Sequence, residues 1–234
     1  MDQWLAVDLD VDDAALTERA VWADPTHPDP SRSILPGSIV LDEPVRALLR
    51  ENRLSLWRAA PVPVTGTDGA SGLDLALRVV AHAHPDCRFR WVRCRVDFTA
   101  PGARVCDLSP RDEIATEPVK VTTTRGVGLT FEIATVPLGP QAALSRVREQ
   151  DVFLPKVTAS GVRFRHALWD FTAVGEQPLH VDRGLRVLLA VPAATDALPV
   201  SFTLRASVAV AGLPGVVPLL GRRSAEFRVH QHLL

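Results

Sequence analysis

The chain has 234 residues, 47% hydrophobic and 23% charged, with a net charge of -1. The apolar share is enough for a packed core and excludes a wholly disordered chain, and the length suits one large β domain or two small ones. A charge this close to zero gives no general electrostatic attraction to nucleic acid or to an anionic membrane.

Charge is uneven along the chain. Residues 1–24 carry Asp2, Asp8, Asp10, Asp12, Asp13, Glu18 and Asp24 against Arg19 alone, which reads as a solvated segment or one that docks on arginines. Lys120 and Lys156 are the only lysines, Asn52 is the only asparagine, and tyrosine is absent. This bias suggests GC-rich coding and a bacterial source. Cys87, Cys94 and Cys106 have no disulfide-framework spacing, and Cys94 alternates with Val92, Val96 and Phe98 as a small buried hydrophobe would.

The first 23 residues predict a strand from Trp4 to Leu9 and a helix from Asp12 to Trp22 capped by Asp12 or Asp13. A proline-rich loop follows over 24–37. A second helix is expected over 42–53, with Asp42 as cap, Pro44 in the first turn, and Val45, Leu48 and Leu49 on one side. Leu54 to Trp57 reads as extended and 65–72 as a turn. Leu73, Leu75, Leu77, Val79 and Ala81 then alternate on one arm of an expected hairpin, and Val92, Cys94, Val96 and Phe98 on the other, joined by His82 to Cys87.

Val119–Thr124 and Leu129–Val136 read as a further pair of strands, and 141–150 as a short helix. Strands follow at Phe153–Thr158, Val162–Val174, Leu185–Val191, Val200–Val210 and Ala225–His230. In Val200–Val210 the apolar residues Val200, Phe202, Leu204, Ala206, Val208 and Val210 occupy one parity and Ser201, Thr203, Arg205 and Ser207 the other, the period of a half-buried strand. Leu185–Val191, apolar on both parities except at Arg186, is expected to be covered on both faces. The fold class is therefore mainly β: an antiparallel β-sandwich over 61–234, with a short α-containing N-terminal segment over 1–60 packed on it and a possible sub-boundary near 137–150.

Three patterns bear on function. His82-Ala83-His84-Pro85-Asp86 is similar to the start of the metal motif of metallo-β-lactamase-like hydrolases, which would make His82, His84 and Asp86 zinc ligands; Cys87 stands where that family has histidine. His180, Asp182 and His230 resemble the two-histidine, one-carboxylate set of iron and 2-oxoglutarate dioxygenases, without the arginine that family places beyond its last histidine. Arg88-Phe89-Arg90-Trp91-Val92-Arg93-Cys94-Arg95 interleaves cations with aromatics as a single-stranded nucleic-acid groove does. Strict alternation, however, puts Arg88 and Arg90 on the face opposite Arg93 and Arg95, and the expected partners of these arginines are Asp74, Asp97 or the acidic N terminus. His166 and Asp170 read as a buried pair, and Trp169 as core.

No nucleophile elbow, P-loop or dinucleotide fingerprint is present, and no cofactor is expected. No apolar run predicts a signal peptide or a membrane helix. The loop 212–221 is almost wholly apolar, so Leu213, Val216, Val217, Leu219 and Leu220 are the candidate interaction residues if exposed, or a cover over an open end of the sandwich if not. Together these readings predict a soluble, cytoplasmic, non-catalytic module that binds a protein partner or self-associates, with no nucleic-acid and no membrane contact. The alternative is a metal-dependent hydrolase or oxygenase built on either histidine set.

Overall fold

The computed structural model describes residues 3–16, 41–65, 71–116, 119–124, 147–152, 155–174, 178–192, 195–213 and 215–228. In chain order its strands are β1 (Gln3–Asp8), β2 (Asp10–Val11), β3 (Arg53–Arg58), β4 (Val62–Thr65), β5 (Ser71–His82), β6 (Cys87–Phe98), β7 (Arg104–Ser109) and β8 (Glu113–Ile114). They continue with β9 (Val119–Thr124), β10 (Val147–Val152), β11 (Pro155–Ser160), β12 (His166–Thr172), β13 (Asp182–Ala190), β14 (Ala197–Val210) and β15 (Val217–Arg228). A helix labelled α1 (Glu43–Arg50) precedes β3.

The sequence of α1 explains it locally. Asp42 accepts a hydrogen bond from the Val45 amide, Pro44 occupies the first turn, and Leu49 is buried while Val45 and Leu48 pack partly on the core. Residues 13–16 are also helical, and the Asp12 carboxylate accepts the Ala15 amide at 3.2 Å. The remainder of the helix expected to Trp22, the strand expected over 129–136 and residues 141–146 of the helix expected over 141–150 lie outside the described residues; residues 147–150 of that expected helix are strand instead, paired in β10 with β9.

Two antiparallel sheets form the sandwich. One is ordered β1-β3-β5-β13-β7, with β4 also paired to β5; the other is ordered β2-β15-β14-β6-β12-β11-β8. The strands of residues 1–60 extend both sheets: β1 and β3 belong to the first and β2 to the second. One cluster of buried side chains fills the space between them. It takes Leu73, Leu75, Leu77, Val79, Leu185, Val187 and Leu189 from the first sheet, and Val92, Cys94, Val96, Phe98, Trp169, Phe202 and Leu204 from the second. Period-two alternation thus becomes one buried face per sheet.

The expected hairpin of β5 and β6 is not one. β5 pairs with β3, β4 and β13, while β6 pairs with β12 and β14, so the turn at 83–86 carries the chain from one sheet to the other. The apolar residues of the two arms meet across the core instead of pairing edge to edge. Asn52, 1% exposed, ties this crossing to α1. Its side-chain amide donates to the carbonyls of Leu48 and Leu49, and its oxygen accepts from the His84 amide.

Further differences follow from turns. Val162–Val174 is broken at Gly161 and Arg163, both with positive φ (123° and 74°), so β12 starts only at His166. β7 had no counterpart in the sequence reading because its residues follow no clean alternation. β13 is central, as expected, but covered on one face only: Leu185, Val187 and Leu189 are buried while Leu188 is 36% exposed.

Gly221 on β15 needs its missing side chain. A Cβ there would meet Val7 Cγ1 at 2.6 Å and the Asp8 carbonyl oxygen at 2.8 Å, so only glycine lets β1 approach the β15 backbone.

Phe202 is wholly buried. Phe202→Ala is expected to lower unfolding free energy by about 3–5 kcal/mol in urea titration, and Leu188→Ala by less than about 1 kcal/mol. Equal losses would mean that the first sheet's outer face is covered too.

Candidate functional site

Several sequence-nominated residues are engaged in structural contacts. His84 closes the sheet-crossing turn: its Nδ1 accepts the Asp86 amide at 3.2 Å, and its Nε2 lies 3.3 Å from a Glu51 carboxylate oxygen. His82 and Asp86 are exposed on either side of it. Asp182 accepts two hydrogen bonds from the Arg78 guanidinium, at 2.6 and 2.8 Å, and these hold its carboxyl below the usual carboxylate range. His180 is exposed, and His230 lies outside the described residues. Among the described residues no group of three or more His, Cys, Asp or Glu is placed to hold a metal ion.

The second half of the apolar segment over 212–221 is strand. β15 begins at Val217, and Val217 and Leu219 are buried in the core while Leu213, Val216 and Leu220 are half-buried. The loop itself is short, with Gly212 and Gly215 at φ 78° and 84° turning the chain from β14 into β15. The expected His166–Asp170 pair is replaced by two others. Asp170 accepts from the Arg93 guanidinium at 2.7 and 2.8 Å, and the His166 ring stacks on Phe164 at 5.4 Å. Trp169 is wholly buried, and its indole N–H donates to the Pro110 carbonyl.

Two features stand apart from the core. The first is the β9–β10 ladder, which forms a two-stranded sheet of its own and, among the described residues, pairs with neither layer of the sandwich. Its register runs from Val119 opposite Val152 to Thr124 opposite Val147. The sandwich closes beneath it: β8 pairs with β11, with Ile114 opposite Pro155, so the chain leaves and returns at one place on that sheet edge.

The second is the outer face of the β6-containing sheet. Ser207 pairs with Trp91 but Val208 pairs with Phe89, so Arg90 is an extra residue on β6. This β-bulge shifts the alternation by one. Phe89 and Val92 are both buried, and Arg88, Arg93 and Arg95 share the outer face, contrary to the simple parity count. On the neighbouring strand Arg205 stands opposite Arg93, and Thr203 links Arg95 to Arg222. Arg93 also lies over the Trp91 ring at 5.0 Å. Only the paired register of β6, β14 and β15 brings these arginines together; the bulge has no signature in the sequence.

No family model and no curated protein matches the chain in sequence. Among solved structures it is similar to one described as a pore forming protein, at 7% identity over 75% of this chain and 84% of that one, TM-score 0.38. It is similar also to Clostridium perfringens delta-toxin, at 8% identity over 75% and 91%, TM-score 0.33. A third is the Clostridium perfringens NetB toxin in its membrane-inserted form, at 7% over 75% and 88%, TM-score 0.31. At these scores the likeness carries no argument about activity or assembly.

The descriptions of these neighbours stand against the expectation of a soluble, cytoplasmic, non-catalytic module without membrane contact, or of a metal-dependent hydrolase or oxygenase, and that expectation is not carried further. The sequence grounds against a membrane are the near-zero net charge and the lack of an apolar helix. No described helix is long and apolar enough to cross one, but strands cross bilayers as closed barrels and escape that criterion. Of the nominated metal ligands, His84 contacts Asp86 and Glu51 and Asp182 pairs with Arg78.

Cysteine exposure gives a direct check of the core. Burial pushes the Cys94 thiol up to about 12 and raises that of Cys87, while Cys106 is exposed. A thiol reagent at pH 8 is expected to label Cys106 alone in native protein, and Cys87 and Cys94 only after unfolding in guanidinium. Rapid native labelling of Cys94 would contradict the packing of β6.

Proposed function

We propose that this chain is a self-assembling, membrane-inserting β protein, in which the 119–152 segments of several copies join into a closed barrel across a bilayer while the sandwich stays outside it. The observation that carries this reading is the β9–β10 ladder, which belongs to neither sheet and springs from the single edge position where Ile114 and Pro155 pair. A lone two-stranded ribbon is marginally stable in water, and both of its edges present unpaired amides and carbonyls. In lipid those groups must all be satisfied, and strands achieve this only by closing on further strands. Further copies of the same ribbon are the simplest source of them.

The sequence between the arms suits that role. Val127, Leu129, Phe131 and Ile133 occupy one parity, and Gly126, Gly128, Thr130, Glu132 and Ala134 the other. Continuing the observed register beyond Thr124 and Val147 would set Val127 opposite Leu144 and Leu129 opposite Ala142 on one face. Gly126 would then oppose Ser145, and Gly128 would oppose Ala143, on the other. Apolar residues outward and small or polar residues inward are what a lipid-facing strand with a wet lumen needs. About nine residues per arm, over 126–134 and 137–145, match the roughly 9–11 that a tilted strand needs to span the hydrocarbon. Arg125 and Arg146 would oppose each other just below, at headgroup level.

Dye-loaded phospholipid vesicles test the reading. The full chain is expected to release dye. A variant with 125–146 replaced by Asn-Gly is expected to keep the far-ultraviolet dichroism and melting temperature of the sandwich and to release none. Failure of the full chain to release dye from any vesicle, or undiminished release by the shortened one, would overturn the reading.

A further inference from the structure

We propose that the outer face of the β6–β14–β15 sheet is a docking surface for anionic phospholipid headgroups, with Arg88, Arg205 and Arg222 as its phosphate-binding residues. The proposal deepens the membrane reading above by naming the surface that meets the lipid and the charge it selects.

The argument is a comparison of the two outer faces. On the β13-containing sheet the outward arginines of the two central strands are neutralised in place, Arg78 on Asp182 and Arg186 on Asp74, and the exposed Arg53 and Arg104 stand apart from each other on β3 and β7. On the β6 face Asp170 is used by Arg93, Asp97 by Arg95, and Asp10, at the β2 edge, by Arg50, while the exposed Glu226 lies on the same face of β15, opposite Pro199 and four residues from Arg222. Arg88, Arg205 and Arg222 are exposed and have no carboxylate partner among the described residues.

Their placement is costly without a counterion. Arg205 stands directly across the ladder from Arg93, and like charges directly opposite destabilise a sheet. Arg222 lies one step along β15 from Leu220, which is Arg205's partner on that side. The bulge at Arg90 is what brings Arg88 onto the same face as Arg93 and Arg95. Asp97 and Asp170 offset only two of the five arginines, so an anion-facing surface sits on a chain whose total charge is near zero.

The chemistry favours phosphate in a surface array. Guanidinium groups bind phosphate oxygens in pairs through a planar fork of donors. Trp91, half-buried at the margin of the patch beneath Arg93, is the side-chain type that seats at a membrane interface with its ring in the headgroup layer. A flat sheet face with several separated cations fits a plane of headgroups better than a single small anion, which would need a concave site.

Co-flotation with vesicles tests this and is scored separately from dye release. The chain is expected to float with phosphatidylcholine vesicles containing phosphatidylglycerol, and to do so far less with phosphatidylcholine alone or at high salt. Arg88→Gln, Arg205→Gln and Arg222→Gln combined should weaken binding to anionic vesicles about 100-fold, at roughly fivefold per arginine. Arg53→Gln, Arg104→Gln and Arg183→Gln remove the same charge from the other sheet and should change it little.

The variant lacking 125–146 should float normally even though it releases no dye, so the lipid-docking face and the inserting ribbon fail independently. Equal flotation with neutral and anionic vesicles, or equal losses in the two triple variants, would overturn the proposal. Arginine-dependent capture of a labelled single-stranded oligonucleotide without vesicle binding would overturn it too, by assigning the face to nucleic acid.

Discussion

Everything in this molecule depends on the burial of one face of each sheet against the other. Inward residues from β5 and β13 on one side, and from β6, β12 and β14 on the other, make a single core, and none of the largest of them carries a polar atom without a partner. At roughly 25 cal/mol per Å² of apolar surface removed from water, this burial outweighs any ion pair on the outer faces. It also determines what is left over. A strand with no place in either layer must find pairing elsewhere, and an outer face is free to carry charge that the fold does not need.

The β9–β10 ladder is that leftover strand pair. Because β8 and β11 pair across its base, both sheets of the sandwich are continuous without it. This separates the two halves of the proposed activity in space: one element can change its surroundings while the other keeps its core. The arginine face belongs to the fixed half, since β6 and β14 sit inside the sheet and each is paired on both sides.

Much of the fold was legible from period two alone. Val200–Val210 and the arms around Leu75 and Cys94 are strands whose predicted inward residues are buried, and Asp42 and Pro44 marked α1. Parity says which way a side chain points but not which strand lies beside it, so β5 and β6 read as a hairpin although they lie in different sheets. A bulge is equally silent: one extra residue at Arg90 reversed the count for Arg88, and with it the reading of the basic stripe. Apolarity in 212–221 signalled burial at Val217 and Leu219 rather than an exposed loop, because a strand that begins early in an apolar run takes its residues inward. The histidine sets looked chemical because spacing cannot reveal that His84 is held by Asp86 and Glu51, or Asp182 by Arg78.

The central claim is that alternate residues of the ribbon's first arm face lipid. Single cysteines at 127, 128, 129, 130 and 131, in a Cys106→Ser background that leaves only the buried Cys87 and Cys94, would carry an environment-sensitive dye. With anionic vesicles the account predicts blue-shifted emission at 127, 129 and 131 and water-like emission at 128 and 130. Emission without a period of two, or unchanged by vesicles at every position, would contradict it.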